Sequence, residues 1–309
     1  MSRTNRATRR EFLARAMAVG SAALALRGTA PLAADQVAGP QKPGGWQIGI
    51  YTRPWAKFEY PVALDAIAEA GYKFLGLMSI KAKNNVVISV DSTPDEAHRA
   101  GEEARKRGLT IISAYCGGFP ADRKSLLPGI QGLKRLIDNT AACGCGSLLL
   151  GGIGRAEQED AYYKIIRECC DYAAEKKVLI TLKPHGPLNA TGPECRQRCE
   201  KVGSRQFRVW YDPGNILYYS DGKLDPVEDA ASVDGLVCGM SVKDFAEPKR
   251  VDVTPGTGKV NFPAVMARLK QGGFTSGPLV IECLSPGDLP ALLVEAKKAR
   301  KFVEQLVRA

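Results

Sequence analysis

Four short stretches join a branched apolar run to an ionisable end. Val178-Leu-Ile-Thr-Leu-Lys-Pro-His-Gly186 closes on Lys183 and His185, and Val209-Trp-Tyr-Asp-Pro-Gly-Asn215 closes on Asp212 and Asn215. Ser241-Val-Lys-Asp244 carries Lys243, and Leu279-Val-Ile-Glu282 ends on a carboxylate. Runs of Val, Ile and Leu read as strands buried on both faces, as in a parallel sheet. Lys183 and Glu282 therefore sit where an unpaired charge is costly. Cations and carboxylates gathered at one place can polarise a carbonyl, hold a developing oxyanion and move a proton. The bland alternative is a buried Lys–Glu pair that only neutralises itself.

The elements that position these groups form a regular beat. From Trp46 onward, an apolar strand, a polar loop and an amphipathic helix recur eight times. The pattern predicts strands at Trp46–Tyr51, Phe74–Met78, Leu109–Tyr115, Ser147–Leu150, Val178–Lys183, Phe207–Asp212, Val237–Lys243 and Leu279–Cys283. It predicts helices at Tyr60–Ala70, from Ser92 through Glu96 onward, and at Leu126–Ala142, Glu157–Lys177, Glu194–Val202, Pro226–Val233, Phe262–Gln271 and Leu289–Val307. Such alternation argues for parallel strands with right-handed crossovers. Eight units fit one closed (β/α)8 TIM barrel over residues 46–309. An open doubly wound sheet would want a Gly-rich nucleotide turn after the first strand, and Tyr51-Thr-Arg-Pro-Trp55 is not one.

In a parallel barrel the chemistry sits at the carboxyl ends of the strands, which surround one point. On that rule Lys183, His185, Asp212, Lys243 and Glu282 are the candidate catalytic residues, and Tyr51, Arg53, Tyr115, Asn215 and Ser241 the candidate substrate contacts. Taken singly, Asp212-Pro213-Gly214-Asn215 reads as a turn and Lys243-Asp244 as a rim ion pair. Gly151-Gly-Ile-Gly154-Arg155 reads as a tight turn, with an anion cradle as the alternative. Pro255-Gly-Thr-Gly-Lys259 lacks the spacing of a phosphate loop and reads as a flexible loop over the barrel mouth.

The N-terminus is of another kind. Thr8-Arg9-Arg10-Glu11-Phe12-Leu13 followed by an apolar run from Ala16 to Leu26 matches a twin-arginine export signal, with small residues near Ala34 for cleavage. We expect residues 1–34 to be a signal peptide read by the twin-arginine machinery, residues 35–45 a linker, and the mature protein to be periplasmic or otherwise extracytoplasmic with no membrane span. The first 34 residues hold six Arg and one Glu, so half of the chain's net charge of +10 leaves with them. The remainder is mildly basic, with no Lys/Arg run interleaved with aromatics, which argues against a nucleic-acid partner. The nine cysteines lack zinc-site spacing and read as buried small hydrophobes.

From Trp46 to Val307 the chain resembles the sugar phosphate isomerase/epimerase family, the xylose-isomerase-like TIM barrels. The resemblance rests on Ile180-Thr-Leu-Lys-Pro-His185, Val209 to Asn215, Ser241-Val-Lys-Asp244, Pro255 to Phe262, and Leu279-Val-Ile-Glu282. It implies a divalent metal held by Glu, Asp, His and Glu on strands five to eight, binding two oxygens of a sugar while carboxylates move a proton. Asp212 matches the strand-six Asp and Glu282 the strand-eight Glu. Lys183 stands where the strand-five Glu would be, and Ser241 where the strand-seven His would be. We therefore expect that no cofactor is required, Lys183 and Lys243 replacing the metal as electrophiles, with His185 or Glu282 as base. Should Mn, Co, Zn or Mg bind, Asp212 and Glu282 are its ligands by the resemblance, with His185 moving in as a third. The implied activity is proton abstraction beside a carbonyl of a carbohydrate, leading to isomerisation, epimerisation or elimination from a 3-keto-glycoside. The alternative is a non-catalytic sugar-binding barrel that has lost its metal site.

Overall fold

The computed structural model describes residues 45–308. The expected signal peptide, and the linker up to residue 44, lie outside them. Eight strands, β1 (Trp46–Tyr51), β2 (Phe74–Leu77), β3 (Thr110–Tyr115), β4 (Ser147–Leu150), β5 (Leu179–Leu182), β6 (Phe207–Tyr211), β7 (Val237–Val242) and β8 (Gly277–Ile281), form a closed parallel barrel in chain order. Closure is made by β1 against β8, from Trp46 opposite Gly277 to Ile50 opposite Ile281.

Around the barrel run α1 (Tyr60–Glu69), α2 (Pro94–Lys106), α3 (Leu127–Ala142), α4 (Ala156–Glu175), α5 (Gly192–Val202), α6 (Pro213–Tyr219), α7 (Pro226–Ala231), α8 (Phe262–Gln271) and α9 (Leu289–Leu306). Their starts follow from local chemistry. Thr93 and Thr191 each close a capping box with a Glu three residues on, and Asp225, Asn261 and Asp288 cap α7, α8 and α9. Helix α6 differs from expectation: Asp212-Pro213-Gly214-Asn215 is not a free turn but its first turn, with Asp212 as N-cap and Pro213 at the first position.

Two apolar layers hold the barrel. The larger lies between sheet and helices; the smaller fills the barrel itself with Tyr51, Met78, Ile112, Leu149, Trp210 and Val280. Two glycines make room for its rings. A Cβ on Gly76 would lie 2.2 Å from the Tyr51 ring, and one on Gly239 2.4 Å from the Trp210 ring. All nine cysteines are free thiols, eight of them buried, as their apolar settings imply. The loop at 255–259 is tied down rather than free. The buried Asp244 carboxylate accepts from the backbone N–H groups of Phe245, Gly256, Gly258 and Val260.

Candidate active site

The carboxyl ends of β5 to β8 do converge, and they do so on Glu282. This side chain follows β8, is completely buried, and is met by four donors. Its Oε1 accepts from Arg53 Nη1 at 2.7 Å and lies 2.7 Å from Lys243 Nζ. Its Oε2 accepts from Lys183 Nζ at 2.7 Å and from the Ser241 hydroxyl at 2.8 Å. Burial opposes ionisation of Glu282, but Lys183, Lys243 and Arg53 outweigh it and hold the carboxyl well below the usual carboxylate range. Glu282 is therefore a fixed anion and a poor base, which removes one of the two expected candidates for that role.

Asp212 is the second fully buried carboxylate. As cap of α6 it accepts from Asn215 N–H at 2.9 Å, and its Oδ2 lies 3.3 Å from Lys183 Nζ and 3.4 Å from Lys243 Nζ. Two ammoniums and two carboxylates thus alternate around a square. Burial disfavours the charge on Lys243, but Asp212 and Glu282 more than offset this and raise its pKa. Lys243 pairs with these groups and not with Asp244, so the expected rim ion pair does not form.

The square closes one side of a cavity of about 430 Å³. Arg53, Tyr115, Lys183, His185 and Glu282 face it, together with the glycine-rich turns that follow β3 and β4. Asp212, Asn215, Ser241 and Lys243 lie behind that surface. Ser241 is buried between Trp210 Nε1, which donates to it at 3.2 Å, and Glu282. Asn215 accepts from Lys243 at 2.9 Å and donates to the Pro184 carbonyl at 2.7 Å. These two, expected as substrate contacts, instead position the charged groups. Tyr51 is corrected likewise: it is sealed in the barrel core with its hydroxyl 2.8 Å from Ser113.

His185 stands on the cavity wall in a short loop, its ring 5.2 Å from that of Tyr219. Its Nδ1 is 3.3 Å from the Gly186 carbonyl, which can only accept, so this contact favours the tautomer with the proton on Nδ1 and the lone pair on Nε2. The His185 ring is exposed to the cavity, but the surrounding protein and the charge of Lys183 push its pKa below the ordinary imidazole value, so the ring is neutral at neutral pH. Asn189, which sequence reasoning passed over, holds this loop. Its side chain donates to the Lys183 carbonyl at 2.9 Å, and its own carbonyl accepts from His185 N–H at 2.9 Å. The available signal was an Asn in the turn Gly186-Pro187-Leu188-Asn189.

The sequence profile of the xylose isomerase-like TIM barrels matches residues 64–306. The chain belongs to that family. No curated protein sequence matches it. Among solved structures it is similar to a D-psicose 3-epimerase at 13% identity, with TM-score 0.67 over 85% of this chain and 100% of the other. A xylose isomerase domain protein from Planctomyces limnophilus aligns at 18% identity and TM-score 0.65, covering 85% and 97%. A 3-keto-D-glucoside 4-epimerase from E. coli aligns at 14% identity and TM-score 0.61, covering 85% and 100%. At these identities the likeness establishes the fold.

The family implies a divalent metal, and the residues of this chain do not fit one. Both carboxylates of the square already have ammonium partners, and a cation between them would face two positive charges at close range. The ligand trio His185, Asp212 and Glu282 is not assembled either: among the described residues no three His, Cys, Asp or Glu side chains lie in metal-holding proximity.

Proposed function

We propose that this barrel is a carbohydrate enzyme that removes a proton from the carbon beside a carbonyl, with His185 as base and Lys183 as electrophile. The observation that carries the reading is the pairing, on one cavity wall, of a neutral imidazole whose free lone pair is on Nε2 with an ammonium not fully used by its carboxylates. His185 Nε2 takes the proton, and the C–H electron pair moves through the carbonyl carbon to its oxygen. The enolate oxygen is held by Lys183, with Arg53 and Lys243 adding to the positive field at the cavity wall. Glu282 and Asp212 keep those cations in place.

Loss of that proton from His185 to water and delivery of a water proton to the other face of the same carbon gives an epimer, while delivery from His185 to the neighbouring carbon gives an isomer. Expulsion of a substituent beta to the carbonyl gives an elimination, as for a 3-keto-glycoside losing its C1 group. Sugar epimerases recur among the structures of similar fold, which supports a sugar as substrate. The twin-arginine motif at Arg9-Arg10 supports an extracytoplasmic place of action. The test is deuterium uptake from D2O beside the carbonyl of D-fructose, D-psicose, a 3-keto-glucoside and 2-ketogluconate, followed by proton NMR. We expect exchange with at least one probe. Exchange with none, alongside measurable sugar binding, would leave a sugar-binding barrel without catalysis.

A further inference from the structure

The charges of the site do not balance. Arg53, Lys183 and Lys243 face Asp212 and Glu282, three cations against two carboxylates, while His185 is neutral. Asp244 does not make up the difference, because its carboxylate is turned to the amides of the 256–260 loop. The surplus positive charge lies at the cavity wall, where it attracts an anion from outside the protein.

The free donors show where that anion would lie. Lys183 has three ammonium protons. One bonds Glu282 and a second is drawn to Asp212, which leaves one for a substrate carbonyl oxygen. Lys243 is spent on Glu282, Asp212 and Asn215 behind the wall. Arg53 is the least committed: among the described residues its guanidinium makes a single side-chain hydrogen bond, through Nη1, and its side chain is 40% exposed on the cavity. Its backbone is held firmly. It opens a single helical turn, Arg53–Trp55, in which Trp55 is fully buried and Trp55 N–H donates to the Thr52 carbonyl at 2.9 Å. The remaining N–H groups form the planar fork that matches a carboxylate.

We propose that the substrate is a sugar acid, whose carboxylate is gripped by Arg53 while its carbonyl oxygen faces Lys183. This rests on the proton-abstraction reading for the role of Lys183 and specifies its substrate class. One surplus positive charge matches one carboxylate, whereas a phosphate ester would bring close to two negative charges to it.

Binding can be measured without turnover, by calorimetry with gluconate, with the neutral polyol glucitol, and with glucose 6-phosphate. A charged hydrogen-bonded pair predicts that gluconate binds about tenfold or more tighter than glucitol. Arg53→Met should erase that preference, so that gluconate and glucitol bind alike. Arg53→Lys, which keeps the charge but not the fork, should retain part of it. Equal affinity for gluconate and glucitol in the parent protein, no gluconate binding at millimolar concentration, or tighter binding of glucose 6-phosphate would each overturn the inference. So would a preference that survives Arg53→Met. Deuterium exchange with a neutral ketose, together with any of those results, would leave the reaction reading standing. A gluconate preference without exchange on any keto probe, 2-ketogluconate included, would sink the reaction reading instead.

Discussion

Replacing Lys183 with Met keeps the length of the stem and removes the charge. Glu282 would still have Arg53 at 2.7 Å, Lys243 at 2.7 Å and Ser241 at 2.8 Å. Asp212 would keep Asn215 N–H at 2.9 Å and Lys243 at 3.4 Å. Stripping a buried charge of its partner costs about 3–5 kcal/mol when the remaining charge is left alone. Here neither carboxylate is left alone, so we expect about 1–3 kcal/mol, the range for losing charged hydrogen bonds. For a domain of this size that is a fall in Tm of roughly 2–12 °C, and circular dichroism should still show the parent fold. Catalysis should suffer more. Lys183 is the cation of the square that reaches the cavity, and losing one preorganised oxyanion donor lowers kcat by about 10²–10³. The assay is the rate of deuterium uptake by the best keto probe, with thermal unfolding measured on the same sample. A folded Lys183→Met protein that exchanges at the parent rate would make Lys183 a structural partner of Glu282 and refute the assigned chemistry.

His185 offers a pH test. Its pKa is lowered, so the ring is neutral above that value and gains a proton below it. The acid limb of kcat/KM should therefore fall below the ordinary imidazole value of about 6.5, and His185→Gln should abolish the limb with a loss of about 10²–10⁴ in rate. Activity should survive exhaustive chelation; loss restored by manganese, cobalt or zinc would show that a metal displaces the ammoniums. Deleting the chain from Gly277 removes β8 and leaves the edge of β1 unpaired, so the truncated protein should be insoluble; a soluble folded product would contradict cooperative closure. Replacing Arg9 and Arg10 with Lys should hold the precursor inside the cell, and cell fractionation showing unchanged export would count against the twin-arginine reading.

The barrel was legible because its signal is repeated. Each strand from Trp46 to Ile281 is an apolar run between polar loops, and boundaries moved by only a residue or two, where hydrogen-bonded pairing ends. Convergence of Lys183, Asp212, Lys243 and Glu282 also followed from sequence, since closure of a parallel barrel brings its strand ends together whatever the side chains. Which of them face the cavity did not follow. Strands buried on both faces show no polar alternation, so nothing in Val237–Val242 or Phe207–Tyr211 tells inside from outside. Register and the packing of α6 decided that Lys183 and Glu282 line the cavity while Lys243, Asp212, Asn215 and Ser241 stand behind them. Tyr51 at the end of β1 was drawn into the core because Gly76 opposite leaves space for its ring. The proposed choice of base rests on tertiary contacts alone. Glu282 is held as an anion by four donors from two other strand ends and the first loop, whereas Asn189 holds the loop that carries His185, whose Nδ1 meets the Gly186 carbonyl. Local sequence sets which charges a strand end carries; only the closed barrel sets which charges meet.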